Sequence, residues 1–227
     1  IKHTSNPGVN PASGQVYSAS EMVLNGGKEN MAIYAEGHGT NTNDVVVKSI
    51  ETGTDTQDNI FVFADNGAKV RVGLKTGGAT PTVDGGLKVK ANLSTNPIYN
   101  ATTGTLSANV GGVYAKGANT GVDVSLTKAT TDYNIDITGA AATNNPSVYA
   151  GFGIFANNSR VNAEYNKVKA TDTGVAVAAT DAAGYIKLDH GEVNYKGSGY
   201  ALYTKDGGKI DLKNGKLTLD GKATGYI

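Results

Sequence analysis

The sequence predicts an all-β fold, a right-handed parallel β-helix, on three observations. A six-residue cassette returns about every 25 residues, the signature of stacked units. The intervening stretches alternate aliphatic and polar residues with period two, as half-buried strands do. Glycine punctuates the chain, 31 residues against five prolines, and no long stretch carries helical periodicity.

The cassette reads small or polar, variable, small or large, aliphatic, aromatic, alanine. Its copies begin at Asn30, Asn59, Val110, Gly151, Gly174 and Gly199, with a weaker copy at Asp84 and a truncated one at Gly225. Two further runs follow each cassette. In the last complete unit these are Ile210/Leu212 and Leu217/Leu219, each alternating with polar or charged residues. Val70/Val72/Leu74, Val122/Val124/Leu126 with Ile135/Ile137, and Ile186/Leu188 with Val193/Tyr195 repeat the layout. Three strands of about five residues and three turns account for a coil of about 25 residues. Seven or eight such coils, stacked at the strand spacing of about 4.8 Å, make a rod roughly 35–40 Å long. The remainder of each coil serves as the crossover that parallel strands require. Right-handedness is expected from the general bias of such crossovers. Asn66-Gly67, Asp206-Gly207, Asn214-Gly215 and Asp220-Gly221 suit the bends. In the competing architecture, an antiparallel sandwich, the same pairs would close hairpins. The recurrence of the cassette at one phase favours the helix.

Residues 1–29 are less regular and read as an irregular N-terminal part or partial first coil. Residues 30–227 read as coils. The chain stops at Tyr226-Ile227, two residues into a fresh cassette, as is expected of a segment of a longer rod.

Acidic and basic residues number 20 each. The zero net charge removes bulk attraction to nucleic acid or anionic membranes. Only Arg71 and Arg160 are arginines; the lysines alternate with aliphatic residues and are expected to coat the outer faces. Without cysteine, neither disulfides nor thiolate metal sites form. His3, His38 and His190 are too scattered for a triad or a zinc site. Asp123, Asp136, Asp189 and Asp211 fall on strands, and Asp189 and Asp211 could stack as the carboxylate pair a hydrolase needs. Their alternation with lysines and aliphatics fits a solvated face better, so no catalytic residue, metal or cofactor is expected.

The fifth cassette position carries more interest. The fourth is always aliphatic (Ile33, Val62, Leu87, Val113, Ile154, Val177, Leu202) and is expected to face inward. The fifth then faces out. It is Tyr34, Phe63, Lys88, Tyr114, Phe155, Ala178 and Tyr203, a partial aromatic ladder. Such a ladder either contacts a sugar or peptide, or only stiffens the rod; with reversed parity it would pack inside. The long step from 110 to 151 holds an excess around residues 127–148, expected as a surface loop with Tyr133, Asn144 and Asn145 as candidate contacts. A neutral insertion is the alternative. A smaller excess lies near residues 37–56.

Irregular coils with Asn/Gly/Thr/Lys-rich turns, no cysteine and few aromatics resemble the passenger domains of type V autotransporters. Residues 199–227, GYALYTKDGGKIDLKNGKLTLDGKATGYI, are similar to coils of the large fusobacterial outer-membrane adhesins of the RadD-like group. The resemblance implies a non-catalytic adhesin exposed on the bacterial cell surface, held by a C-terminal outer-membrane barrel outside this chain. It implies a protein or glycan receptor on host or bacterial cells as partner, reached through weak contacts summed along a rod, and self-association through polar faces. Two alternatives stand beside it: a structural stalk spacing a distal tip, and a carbohydrate-active β-helix enzyme.

Overall fold

The computed structural model describes residues 2–4, 16–37, 44–54, 56–76 and 82–220. Among them every regular element is a strand. The truncated cassette at Gly225 lies outside the described residues.

The strong cassettes build one sheet. Met31–Glu36, Ile60–Asp65, Gly111–Lys116, Phe152–Asn157, Val175–Thr180 and Tyr200–Lys205 pair in that order, all parallel, and Lys2–Thr4 adds a seventh strand outside Met31–Glu36. The fourth cassette positions meet in register: Ile33, Val62, Val113, Ile154, Val177 and Leu202 form one column. The first five are fully buried. The repeat in the sequence is thus a repeat in space.

The second and third runs stack in the same way. On a second face, residues 44–47, Lys69–Val72, Gly121–Asp123, Arg160–Asn162, Tyr185–Lys187 and Lys209–Asp211 succeed one another in parallel. Val45, Val70, Val122, Val161, Ile186 and Ile210 form its inner column. On a third, Gly86–Asn92, Ile135–Thr138, Lys167–Thr171, Glu192–Lys196 and Lys216–Asp220 do the same, with Val89, Ile135, Val168, Val193 and Leu217 inside. The long strand Asp44–Thr54 passes from the second face to the third, its residues 49–51 pairing with Gly86–Asn92. The three columns converge on one continuous core, the arrangement by which a solenoid buries what a single coil cannot. Val16–Asn25 runs beside Asp44–Thr54, so the described strands of the first 29 residues extend the stack.

Turns obey the same stacking. Asn66, Asn158, Asp181 and Asp206 each follow a cassette strand directly, with φ of 51°, 48°, 66° and 51°. Asn and Asp tolerate this left-handed region better than other side-chain-bearing residues. In the third coil Gly117 takes the place, with φ 86°. Outer charges pair from coil to coil, as in Lys187–Glu164 at 2.7 Å, Lys169–Asp136 at 3.1 Å and Lys48–Glu21 at 3.1 Å.

The weaker cassette is a correction. Leu87 and Lys88 pair with Ile50 and Glu51, and Val89 with Ile135; Asp84–Val89 therefore belongs to the hairpin and the third face, not to the cassette sheet. Aliphatic alternation is common to all three faces, so Leu87 fits the pattern without holding the phase. A single coil runs from Ile60 to Gly111, and it carries two hairpins, Leu74–Thr76 with Thr82–Asp84 and Tyr99–Asn100 with Thr105–Leu106. Leu74, read with Val70 and Val72, starts the first of these hairpins.

Candidate binding surface

The fifth cassette positions face outward, as the alternation requires. Tyr34, Phe63, Tyr114 and Phe155 are half-buried and meet ring to ring. Tyr34 and Phe63 contact edge-on with centroids 5.3 Å apart. Phe63 stacks on Tyr114 at 5.0 Å with planes 4° apart, and Tyr114 on Phe155 at 5.0 Å and 14°. The spacing is that of the strands carrying them, so the ladder follows from the fold. Offset and edge-on ring pairs add about 0.5–1.5 kcal/mol each beyond their buried area.

A fifth ring joins from the second cassette position. Phe152 lies 5.9 Å from Tyr114 and 6.3 Å from Phe155, edge-on to both. Space for it comes from Gly111, its register partner: a Cβ there would stand 2.1 Å from the Phe152 ring. The signal was present in the sequence as a glycine opposite a phenylalanine one coil on. It carries meaning only once the register is known. Met31, 45% exposed, and Ile60 continue the second-position row toward the N-terminus.

The row then breaks. Ala178 stands in register between Phe155 and Tyr203. Tyr203 instead pairs with Tyr200, centroids 5.4 Å apart, as a separate aromatic spot. Lys88 lies on the third face and is no part of the ladder. At the other end the Tyr34 hydroxyl donates to Glu36 Oε2 at 2.9 Å. That hydrogen bond, then burial, raises the phenol pKa above its ordinary value. Burial, seconded by the Asp65 charge, raises that of Tyr114. Both rings stay neutral across the physiological range and present apolar surface with a hydroxyl at the rim.

The residues of the long step are placed as follows. Tyr133 folds back on the third face: its hydroxyl accepts from Asn194 Nδ2 at 2.8 Å, and Lys169 Nζ lies 6.0 Å from the ring centre. It borders an open depression of about 460 Å³ lined also by Thr52, Lys88, Lys90, Asp132 and Asp136. Asn144 and Asn145 sit at the bend of the hairpin Ala140–Ala142/Asn145–Ala150. The Asn144 amide is engaged at both ends by Tyr99: Oδ1 accepts from its N–H at 2.8 Å and Nδ2 donates to its carbonyl. Thr143 N–H also donates to the Pro97 carbonyl at 3.0 Å. The loop thus clamps the neighbouring hairpin, 99–106. Asn145 Oδ1 accepts from Ser147 N–H at 3.2 Å, a local turn bond. Within the smaller excess, 44–54 is a strand, and residues 38–43 and 55 lie outside the described set.

Asp189 and Asp211 do not stack. Asp211 is the register partner of Lys187. Asp189 Oδ1 instead holds the next turn, accepting from His190 N–H at 3.0 Å and Asn214 Nδ2 at 3.2 Å. The cause is a two-residue offset: Asp189 follows Leu188 whereas Asp211 precedes Leu212, and Lys187 pairs with Asp211, so the two carboxylates keep the same parity but never share a row. His190 stacks on Tyr165 at 4.8 Å. Among the described residues no cluster of three or more His, Asp or Glu could hold a metal ion. His38 lies outside them.

Comparison with protein-family models, with curated proteins and with solved structures found no match.

Proposed function

We propose that this chain is a segment of a bacterial cell-surface attachment rod, a right-handed parallel β-helix with three strands and about 25 residues per coil. It acts without catalysis, by holding host or bacterial surface groups against its sides. The observation that carries this reading is the outward aromatic strip Tyr34–Phe63–Tyr114–Phe155, with the buried Phe152 packed edge-on against it. Contiguous apolar surface at the outside of a protein marks a contact site more often than chance. Ring edges and the flanking Met31 and Ile60 suit sugar C–H surfaces or apolar side chains. A rod repeats weak contacts, and their sum supplies affinity. Export to the outer membrane and anchoring by a barrel belong to this reading through the resemblance of residues 199–227.

A second reading has its own support. Phe63, Tyr114 and Phe155 spend part of their faces on one another, which stiffens a stalk whose binding tip lies elsewhere. Binding of labelled chain to bacterial and host cells, with a glycan and receptor array, separates the two. Adhesion requires saturable binding that weakens at least tenfold in Phe63→Ala/Tyr114→Ala while circular dichroism stays that of the parent. Binding undiminished in the folded variant removes the strip from the site; no binding to any cell or array feature leaves the stalk. Turnover of a polysaccharide on the same array would replace both with an enzyme.

A further inference from the structure

We infer that the second face carries a separate site for the oxyanion of an acidic saccharide, a carboxylate or a sulfate ester, between Lys69, Arg71 and Arg160. The inference does not depend on the aromatic strip, which lies on another face. Register places the three cations around a missing side chain: Lys69, Gly121 and Arg160 occupy one row on consecutive strands, and Arg71, Asp123 and Asn162 the row beside it. Two strand steps separate Lys69 from Arg160, about 10 Å. With no Cβ on Gly121 the space between them is open, a depression of about 420 Å³.

The charge here is concentrated: three cations line one depression. Several strand lysines on the third and second faces pair with carboxylates one coil away, as at Lys169–Asp136, Lys187–Glu164 and Lys167–Glu192. Here Lys69 and Arg160 spend hydrogen bonds on a backbone carbonyl and a side-chain amide, and the two arginines are the only ones in the chain. Lys69 Nζ donates to the Asn119 carbonyl, which steadies it at the rim. Arg160 is held in place: its guanidinium lies 4.7 Å over the Tyr185 ring, and Nε donates to Asn162 Oδ1 at 3.4 Å. That leaves its terminal nitrogens for a planar two-oxygen acceptor, the geometry guanidinium recognises best. The one carboxylate lining the depression, Asp123, has Oδ1 engaged by Ser125 N–H at 3.0 Å. Asp44 is the register partner of Lys69 on the preceding strand.

A saccharide fits better than an acidic peptide. Extended peptides bind sheets by adding to an edge, and these strands have none: Gly121 N–H donates to Ala68 and Arg160 N–H to Thr120 across the coils. Recognition must come from side chains around a flat floor. Gly121 and Val46 offer that floor to a ring, and Asn162 offers an amide to hydroxyls.

The test titrates the whole chain, isotope-labelled, with oligogalacturonate, sulfated dextran oligomers, neutral dextran and poly-glutamate, reading Gly121 amide and arginine Nε–H shifts. Saturable shifts are expected with the carboxylated or the sulfated saccharide, weakening with salt, and none with neutral dextran. The responding arm identifies the oxyanion. Arg71→Gln/Arg160→Gln should bind at least tenfold more weakly. Gly121→Val blocks the floor without altering charge. Its Cβ would meet Lys69 Cδ and Nζ at 3.4 Å, a flexible neighbour, and Gly121 needs no left-handed backbone, so the variant folds. It should lose binding while keeping its melting temperature. Parent-like binding by Gly121→Val, equal binding of poly-glutamate, or silence toward both acidic saccharides would each overturn the site.

Discussion

Replacing Ile154 with alanine tests the stacking most directly. Ile154 is fully buried, and its register partners on either side, Val113 and Val177, are fully buried too. The change removes three carbons from the middle of a column closed above and below by backbone ladders. The walls cannot collapse inward without breaking Phe152–Asn157 away from one neighbour. A buried Ile→Ala change costs about 2–5 kcal/mol, and this site belongs in the middle of that range or above it. For a domain this long, about 3 kcal/mol lowers the melting temperature by roughly 6–12 °C. Thermal and urea unfolding followed by far-UV circular dichroism measure it, with Thr171→Ala on the outer third face as reference. Thr171 is half-exposed and should cost about 0.5 kcal/mol or less. If Ile154→Ala proved no more harmful than Thr171→Ala, the inward column would be refuted.

Gly153→Ala tests the third cassette position. A Cβ there would stand 2.5 Å from the Ala176 carbonyl oxygen and 2.5 Å from Val168 Cγ1, so overpacking of about 1–3 kcal/mol should outweigh the entropic gain of losing a glycine. Asn144→Ala should leave global unfolding nearly unchanged but speed proteolytic nicking within 99–106, read by mass spectrometry, because it frees both backbone groups of Tyr99. Tyr195 is fully buried, its hydroxyl donating to the Thr173 carbonyl at 2.6 Å and accepting from Gly199 N–H at 2.8 Å. Burial is the main cause raising its pKa above the ordinary phenol value near 10, and the Tyr114 and Tyr34 phenols are raised too. The unfolded chain therefore ionises first. Stability is whole below about pH 10 and falls as pH climbs through the folded values. Tyr195→Phe should lose about 1–3 kcal/mol at neutral pH, from the stranded Gly199 N–H, and decline less steeply in alkali.

The cassette sheet was legible because its pattern combines phase with chemistry. An aliphatic residue, an aromatic and an alanine in fixed order recur along one face, and Ile33, Val62, Val113, Ile154 and Val177 align in one column. Leu87 was misplaced because a lone aliphatic in an alternating run suits any of the three faces. A cassette at Leu87 would divide the longest coil in two, where the fold instead has hairpins at 74–84 and 99–106. The outward ring row was likewise legible at Tyr34, Phe63, Tyr114 and Phe155, whereas Phe152 was not, since its place depends on the absence of a side chain at Gly111. Sequence marks Tyr133 and Asn144 as loop residues. Their hydrogen bonds to Asn194 and Tyr99, far off in the chain, cannot be read from it.

Side-chain parity and the repetition of one phrase are local properties, so composition and order alone dictated strands, coils and the inward aliphatic column. Which residues become neighbours between coils depends on where each insertion lies, and a two-residue offset sets like side chains in different rows. Only the folded stack could therefore place Phe152 over Gly111, separate Asp189 from Asp211, and gather both arginines of the chain beside Lys69.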